Sequence, residues 1–515
     1  MKEIELKIAL DKTQERRLRA SRDVKALSEG SARTQSLWSV YYDTDDHALR
    51  NEGIALRLRR EGRSWVQTLK ISNGAMVNGL SQPDEIEYPV ESQQIDLTRI
   101  PNHDLREHVM GLARGGLHPV AETRFRRTSR VLKLPACGAS VEFAIDKGTL
   151  ASGGTQADFI EAELELIDGA PSSLYQLARK ILPKGPVRFA ELSKSQRALA
   201  LSDPEVAPAT LRKARPVDLS RMKSVEQAAI TVFSEGVAHA APNIALLLDS
   251  DDINGPHQTR VALRRLRSAM SAFRTALGRG ALEPMAQKAQ ILGGEAGRIR
   301  DLDVLADEIV AREAELHPGE PGFQRLADAI HARRYVVRED VRKSLLASDL
   351  CGFALEMAGF IASRAWVNGA DHGQTERLAQ PLMPYARKVL DKRWKSVAAW
   401  GARIDELTID ERHEMRKDVK KLRYLVDAFK SLLEPERVAG FNRHVKLLQK
   451  AFGALNDSAM AEILLLAPDA PGRDDAEAQR AAGRIIGRLL AESDRLWPGA
   501  IRDWRSLAEY GPCWR

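Results

Sequence analysis

Glu3-Ile4-Glu5-Leu6-Lys7 decides how the first part of the chain is read. Charged residues at 3, 5 and 7 alternate with Ile4, Leu6 and Ile8, so as a β-strand the stretch carries two carboxylates and an ammonium on one face and hydrocarbon on the other. Taken alone, that is also the pattern of an amphipathic strand with a solvated face. A partner run, Glu161-Ala162-Glu163-Leu164-Glu165, again places acids on one face and Ile160, Leu164 and Leu166 on the other. Two such strands side by side repel unless a metal cation or a field of Lys and Arg lies between them.

The residues between them supply that field. A polar, Arg-rich helical pattern runs from Asp11 to Leu27, and a strand from Ser36 to Tyr42 ends in Asp43-Thr44-Asp45. Gly53 to Arg59 reads as a strand with Arg57 and Arg59 on one face, and Ser64 to Lys70 as its hairpin partner. Further strands are expected at Glu85 to Val90, with Glu85 and Glu87, and at Glu122 to Leu134, with Arg124, Arg126, Arg127 and Arg130. The next, Val141 to Ile145, carries Glu142 and ends at Asp146. Turns fall at Gly62, Gly74, Gly79, Gly138 and Gly153-Gly154. The pattern predicts about eight strands with an apolar outer face and an interior of both charge signs. That makes no packed core, but it suits an antiparallel barrel around one small anionic ligand, since about eight strands enclose roughly that space. Basic side chains would grip phosphate oxygens, and carboxylates would hold Mg²⁺ or Mn²⁺.

A chain of 515 residues is long enough for two or more domains. Its net charge of +7 and pI near 9.2 suggest polyanion partners where the charges cluster. Cys137, Cys351 and Cys513 stand far apart with no CxxC pair, which argues against a zinc knuckle or disulfide framework and for a reducing compartment. The N-terminus runs straight into the acidic strand, and the longest aliphatic runs are too short to cross a bilayer. A soluble, cytoplasmic protein with no membrane partner is expected.

The first part resembles the CYTH, or triphosphate tunnel metalloenzyme, superfamily. Glu3-Ile4-Glu5-Leu6-Lys7 looks like its ExExK signature. The likeness continues through Tyr41-Tyr42-Asp43-Thr44, Leu56-Arg57-Leu58-Arg59, Thr68-Leu69-Lys70, Ile145-Asp146, the Glu161/Glu163/Glu165 strand and Leu192-Ser193-Lys194-Ser195. It implies that Glu3, Glu5, Glu161, Glu163 and Glu165 coordinate divalent metal, Mg²⁺ or Mn²⁺. It also implies that Lys7, Arg57, Arg59, Lys70, Arg127, Arg188 and Lys194 bind a triphosphate, with Glu3, Glu5 and Lys7 the catalytic set. Where many relatives have Arg two residues before the acid of the middle strand, this chain has Glu85 before Glu87, so one lumen cation is lost. Around Arg124 to Arg130 several registers are open, and the inward arginine is not fixed.

Residues Ser202 to Ser220, with Pro204, Pro208 and Pro216, read as a linker. Helical periodicity then dominates and contains a repeat. His257-Gln258-Thr259-Arg260-Val261-Ala262-Leu263-Arg264-Arg265-Leu266-Arg267, reaching Phe273, matches His413-Glu414-Met415-Arg416-Lys417-Asp418-Val419-Lys420-Lys421-Leu422-Arg423, reaching Phe429, at an offset of 413 − 257 = 156. Downstream, Leu292, Gly297 and Asp301 map onto Leu448, Gly453 and Asp457. A duplicated helical bundle follows. On a helix, 257, 260, 264 and 267 share one stripe, and 263, 266, 270 and 273 share another. Each copy thus has an apolar seam and a separate cationic face: His257, Arg260, Arg264 and Arg267 in one, His413, Arg416, Lys420 and Arg423 in the other. A solvated basic face is one reading, and polyanion binding is the reading favoured by the duplication. Arg300-Asp301-Leu302-Asp303 and Asn456-Asp457 either orient those basic side chains or cap helices.

This second part resembles the CHAD domain, a helical module associated with inorganic polyphosphate. The combined expectation is an α+β chain with an eight-stranded antiparallel tunnel domain over 1–201, a linker over 202–220, and an all-α domain over 221–515 whose repeats cover about 221–370 and 371–515. The implied activity is metal-dependent hydrolysis of inorganic tripolyphosphate, with long-chain polyphosphate held by the helices and the protein associated with polyphosphate granules. The alternatives are an inactive polyphosphate-binding scaffold and a tunnel enzyme acting on a nucleoside or thiamine triphosphate, adenylate cyclisation included. The first part shows no aromatic platform for a base, which favours a bare triphosphate, and the basic helices would also attract nucleic acid weakly.

Overall fold

The computed structural model describes residues 3–62, 64–72, 76–203 and 211–515. Gly74 and the linker prolines Pro204 and Pro208 lie outside the described residues. Two compact units emerge: one runs to Leu211 and includes Cys351–Arg364, and the other comprises Arg212–Leu350 and Ala365–Arg515.

In the first unit, period-2 alternation builds one curled antiparallel sheet. Its strands are β1 (Glu5–Ala9), β2 (Ser28–Asp43), β3 (Ile54–Glu61), β4 (Ser64–Ile71), β5 (Leu80–Ser81), β6 (Asp84–Val90), β7 (His118–Leu134), β8 (Ala139–Ser152), β9 (Thr155–Asp168) and β10 (Arg188–Phe189). Eight of these have five or more residues, and β5 and β10 are two-residue strands. The order is β10-β1-β9-β8-β7-β2-β3-β4-β6, with β5 also paired to β1. This is a curled, tunnel-like half-barrel. The two acidic strands are direct neighbours, in the register Glu5↔Glu165, Lys7↔Glu163 and Ala9↔Glu161.

The helices of this unit are α1 (Lys12–Ala20), α2 (Arg22–Leu27), α3 (Ala48–Asn51), α4 (His103–Leu112), α5 (Ser172–Ile181) and α6 (Lys194–Leu199). Asp11 starts α1 with a capping box closed by Gln14, which satisfies two orphan helix donors reciprocally. Leu49, Ile54, Leu56, Leu69, Ile100 and Val109 form an apolar core on the outer side of β3 and β4. The inner face differs from the expected all-charged lumen. At one end it is apolar: Leu37, Tyr41, Ala121, Phe125, Leu150 and Phe159 pack with Ala198 and Leu199 of α6. The charged region begins on the same face of the same strands, at Arg127 after Phe125 and at Glu161 after Phe159.

Several strands run past their expected limits, β2 and β8 among them. β2 begins at Ser28 rather than Ser36, because the polar stretch 28–35 pairs with β7 across a register shift between Glu29 and Arg33. β8 does not end at Asp146 but runs on to Ser152, held by β7 on one side and β9 on the other. Asp-Lys-Gly reads as a turn, yet Gly148 sits where the backbones crowd: a Cβ there would lie 2.0 Å from the Arg124 carbonyl oxygen.

The second unit contains α7 (Val225–Asp249), α8 (Asn254–Leu277), α9 (Arg279–Asp303), α10 (Ala311–Leu316) and α11 (Pro321–Ala347). α9 continues into a π-helical stretch, Val304–Val310. Helix α12 (Phe353–Ala362) groups with the first unit. Its Gly359 leaves room for the Tyr175 ring of α5, and its Glu356 pairs with Arg179 at 3.0 Å. Then follow α13 (Gln374–Ala379), α14 (Leu382–Gly401), α15 (Ile409–Phe429), α16 (Pro435–Leu465) and α17 (Ala476–Tyr510). Shifting the starts of α7, α8, α9 and α11 by 156 lands within one residue of the starts of α14, α15, α16 and α17. The expected seams are buried: Leu263, Leu266, Met270 and Phe273 in one copy, Val419, Leu422, Val426 and Phe429 in the other. They meet where Phe273 and Phe429 pack edge to face at 5.9 Å. No single described helix is long and apolar enough to cross a membrane.

Replacing Gly148 by Ala forces β7 and β8 apart and is expected to cost about 2 kcal/mol or more, within the range of overpacked sites. Urea unfolding measures it, and an unchanged midpoint would contradict the close approach.

Candidate functional site

The centre of the tunnel site is the Lys194 ammonium. Ser193 caps α6 by accepting from Gln196 N, while Gln196 Oε1 accepts from Ser193 N at 2.9 Å; this capping box fixes Lys194 as the first helical residue. Lys194 Nζ donates to Glu163 Oε1 at 2.5 Å and Glu161 Oε1 at 2.6 Å, and lies 2.9 Å from Asp146 Oδ2. It also rests over the rings of Phe125 and Phe159 at 5.3 and 5.7 Å. Arg127 forks onto Asp146, Nε to Oδ1 at 2.8 Å and Nη2 to Oδ2 at 2.7 Å, and also reaches Glu163. Arg197 takes the remaining oxygen of Glu161 at 2.6 Å. Asp146 and Glu161 are fully buried.

A second group adjoins it. Lys7 Nζ pairs with Glu5 at 2.7 Å and Glu163 at 3.5 Å. Lys70 meets Glu3 at 2.8 Å, Glu85 at 3.2 Å and Glu5 at 3.5 Å, and Ser81 donates to Glu5 at 2.9 Å. Arg57 pairs with Glu85 at 2.9 Å and Glu87 at 3.2 Å. Glu85, the departure from the family pattern, thus ties Arg57 to Lys70. Arg59 is weakly held: its Nε lies 3.4 Å from Ser39 Oγ and its Nη1 3.7 Å from the partly exposed Glu61. Arg188 is directed to α1, 3.3 Å from Gln14 and 3.7 Å from the N-cap Asp11.

The electrostatics follow from this arrangement. Burial works to raise Glu163, but Lys194, Arg127 and Lys7 outweigh it and hold the carboxyl well below its ordinary range. Glu5 is likewise held down by Lys7 and Lys70 against its burial. Glu3 is pushed up to about 8 by burial, its hydrogen bond with Glu85 and the charge of Glu5. Burial and the neighbouring Glu142, Glu5 and Glu163 push Glu165 up. Arg59 is depressed to about 10 by burial, then by Arg57, with Arg127 adding to the effect.

In the helical unit the structure brings the two cationic stripes into one electrostatic cluster. Arg260 pairs with Asp301 at 2.5 Å, Arg267 donates to Gln290 at 2.8 Å, and Arg423 donates to Gln449 at 2.8 Å. The side chains of Arg264, Arg416 and Lys420 have no hydrogen-bond or ion-pair partner among the described residues. Burial, Arg416, Arg264, Arg423 and Arg260 together press Lys420 down to about 7. Arg416 falls to about 10 through burial and the charges of Arg264 and Arg260, with Asp457 opposing. His257 and His413, at the heads of the stripes, are lowered by burial, then by Arg300 and Arg416 respectively. Asp301 orients Arg260 from the end of α9, and Asn456 and Asp457 lie inside α16, so these acids are not helix caps.

Residues 1–199 match the CYTH domain and residues 231–466 match the CHAD domain. The chain is a CYTH domain followed by a CHAD domain. Over 181 residues, 35% of this chain, it is 28% identical to the inorganic triphosphatase of Haemophilus influenzae, and the match spans 49% of that protein's length. It is 26% identical over 452 residues to an uncharacterized protein of Mycobacterium tuberculosis, covering 83% of this chain and 81% of the other. The crystal structure of the CHAD domain from the plant Ricinus communis superposes on 60% of this chain and 98% of its own with a TM-score of 0.50 at 21% identity, a likeness of fold.

Three charged residues of the CYTH site fell outside the expected set. In the sequence Asp146 reads as a strand end, although the even-numbered spacing from Glu142 through Ala144 carries the signal for its face. Arg197 lies three residues beyond Lys194 on α6, the helical spacing that aims both at Glu161. Glu85 was counted as a loss of charge and instead bridges two cations. Among Arg124 to Arg130, pairing with β8 selects Arg127 (Arg127↔Asp146), whereas Arg124 lies over the Trp38 ring at 4.9 Å.

In the CHAD domain, Lys420 has a folded pKa of about 7 against an ordinary value of 10.5. Between these the unfolded chain binds the extra proton, so stability contributed by this site rises with pH across that window. Urea unfolding at pH 7 and pH 9 is expected to show that rise, and Lys420→Met to flatten it. Equal slopes in both proteins would contradict the crowding of cations around Lys420.

Proposed function

We propose that the CYTH domain hydrolyses an inorganic triphosphate with the help of divalent metal, and that the CHAD domain binds polyphosphate. The observation carrying the first reading is Arg59: a buried guanidinium beside Arg57 and Arg127 with only a distant carboxylate, on the inner face that also holds Lys7, Lys70 and Lys194. A chain of phosphoryl oxygens answers that loosely held guanidinium, and guanidinium forks suit it.

The donor set has the chemistry of a hard-cation site, although among the described residues no three such side chains stand close enough to hold an ion as they are. Glu5, Glu165 and Glu142 stand in one row across β1, β9 and β8, with Glu3 beside Lys70, and all their donors are carboxylate oxygens, as Mg²⁺ and Mn²⁺ require. Glu3, Glu5 and Glu165 would hold the ion. Glu161 and Glu163 are engaged by Lys194 and join the set as that ammonium turns to phosphate. Bound there, the ion would neutralise phosphate oxygens. Lys7, Arg57, Arg59, Lys70, Arg127 and Lys194 position the substrate, while Arg188 at α1 is placed to guide it rather than grip it. A water oxygen bonds to the terminal phosphorus, the bridging P–O bond breaks, one water proton passes to a carboxylate, and diphosphate leaves. Positioning and charge neutralisation provide most of the barrier lowering in such chemistry. The similarity to the Haemophilus influenzae inorganic triphosphatase supports this reading over a nucleotide or thiamine substrate.

Purified protein is expected to release phosphate from tripolyphosphate with Mg²⁺ or Mn²⁺. Glu5→Gln should lower the rate roughly 100-fold, the scale of losing one preorganised charge interaction, and Arg59→Ala should mainly raise KM. No turnover, or equal turnover in wild type and Glu5→Gln, would leave the inactive-scaffold reading in place.

For the helices the supporting observation is that Arg264, Arg416 and Lys420 crowd together with only Asp457 opposing them, an arrangement that a polyanion relieves. Lys420→Glu is expected to weaken binding of long-chain polyphosphate at least tenfold while tripolyphosphate hydrolysis stays unchanged. Displacement of the polymer by an equal charge of DNA would instead assign the face to nucleic acid.

A further inference from the structure

The two CHAD repeats have diverged where their basic helix faces the next helix. In the first copy a cleft of about 560 Å³ opens between α8, α9, α11 and the segment after α16, within the usual size of small-ligand sites, about 300–1,000 Å³. Its floor is α9, where Gly293 and Gly294 leave the helix backbone open and Gly297 lies under the Arg260 guanidinium. At an offset of 156 the second copy has Gln449, Lys450 and Gly453. Gln449 covers the floor there and takes Arg423, the counterpart of Arg267. The two copies thus differ at the floor, with Gly293 in one and Gln449 in the other.

The lining of the open copy has two characters. Arg264 and Arg267 form one wall; the Arg264 side chain has no partner among the described residues, and Arg267 meets only the neutral Gln290. The other guanidiniums of the cleft are neutralised by acids: Arg260 by Asp301, Arg298 by Asp340 and Glu295, and Arg333 by Asp469. Leu263, Leu302, Val337 and Leu464 line the remainder with the glycine floor. A bare phosphate chain has no apolar surface to bury against such a lining. A phosphate ester with a flat body does: its phosphoryl oxygens suit the two arginines, and its ring gains from the close approach that glycine permits and from contact with the apolar wall.

We propose that this cleft is a binding site for a nucleoside phosphate, separate from the tunnel, with the phosphoryl groups at Arg264 and Arg267 and the base over Gly293 and Gly294. The site goes beyond the polyphosphate reading of the helices and stands without it.

The test makes the first copy resemble the second. In Gly293→Gln/Gly294→Gln, the new Cβ at 293 meets Leu263 at an ordinary 3.8 Å and that at 294 meets open space. Gln also favours a helix over Gly, so the variant is expected to melt no lower than wild type. Calorimetric titration of the full chain with ADP should show binding that weakens at least tenfold in the variant, with inorganic diphosphate binding at least tenfold more weakly than ADP to wild type. Long-chain polyphosphate affinity should change less than twofold. Absence of ADP binding, equal ADP affinity in both proteins, or diphosphate binding as tightly as ADP would each overturn the proposal. Loss of polyphosphate binding by Lys420→Glu with ADP binding intact separates binding in this cleft from binding at the second copy's basic helix.

Discussion

The CYTH domain depends on the burial of Lys194 among Asp146, Glu161 and Glu163. Three carboxylates on two neighbouring strands, with almost no exposure, cannot coexist as charges in a low-dielectric interior without cations to hold them. Breaking such an arrangement by removing one partner commonly costs about 3–5 kcal/mol, because the remaining charge stays buried. The ammonium therefore pins α6 against β7, β8 and β9. With α6 in place, Ala198 and Leu199 complete the apolar end of the inner face beside Phe125 and Phe159. One ion cluster thus sets where the lumen ends and where its charge begins. On the opposite side Arg57 is held between Glu85 and Glu87, and Arg59 is held more loosely.

The CHAD domain handles like charge in the opposite way. Its seams of Leu, Met, Val and Phe force the two basic helices together, and Phe273 against Phe429 sets the meeting point. The cations on the adjoining stripes are carried into one another's field, with only Asp457 set against Arg416 and Lys420. The hydrophobic seam offsets that repulsion, and the residual field is what makes the face receptive to anions. In the CYTH domain the cations are mostly neutralised and held in place, whereas here they are left in excess.

Much of this organisation was legible in the chain. Alternation at Glu3-Ile4-Glu5-Leu6-Lys7 and at Glu161 to Glu165 gave strand type and face, because a side-chain period of two needs only the local backbone. The 156-residue offset predicted the repeated helix order, and the 3.6-residue period separated the buried seam from the basic stripe. Strand limits were less legible. Asp146-Lys147-Gly148 carries turn residues, and only the flanking β7 and β9 keep it extended.

The sequence by itself determined which residues share a face, since that follows from local geometry, and it determined that acids and bases would be interleaved on one side of a sheet. Only the tertiary structure decided which of them meet. Register between strands chose Arg127 from a run of arginines, and a helix distant in sequence delivered Lys194 into the acidic strands that open with Glu3-Ile4-Glu5. Glu85 became a bridge between Arg57 and Lys70 rather than a missing cation. In the helices, packing opened a cleft over Gly293 and Gly294 that the repeat conceals at Gln449. These are properties of pairs of residues far apart in the chain, and only the packing of strands and helices brings such pairs together.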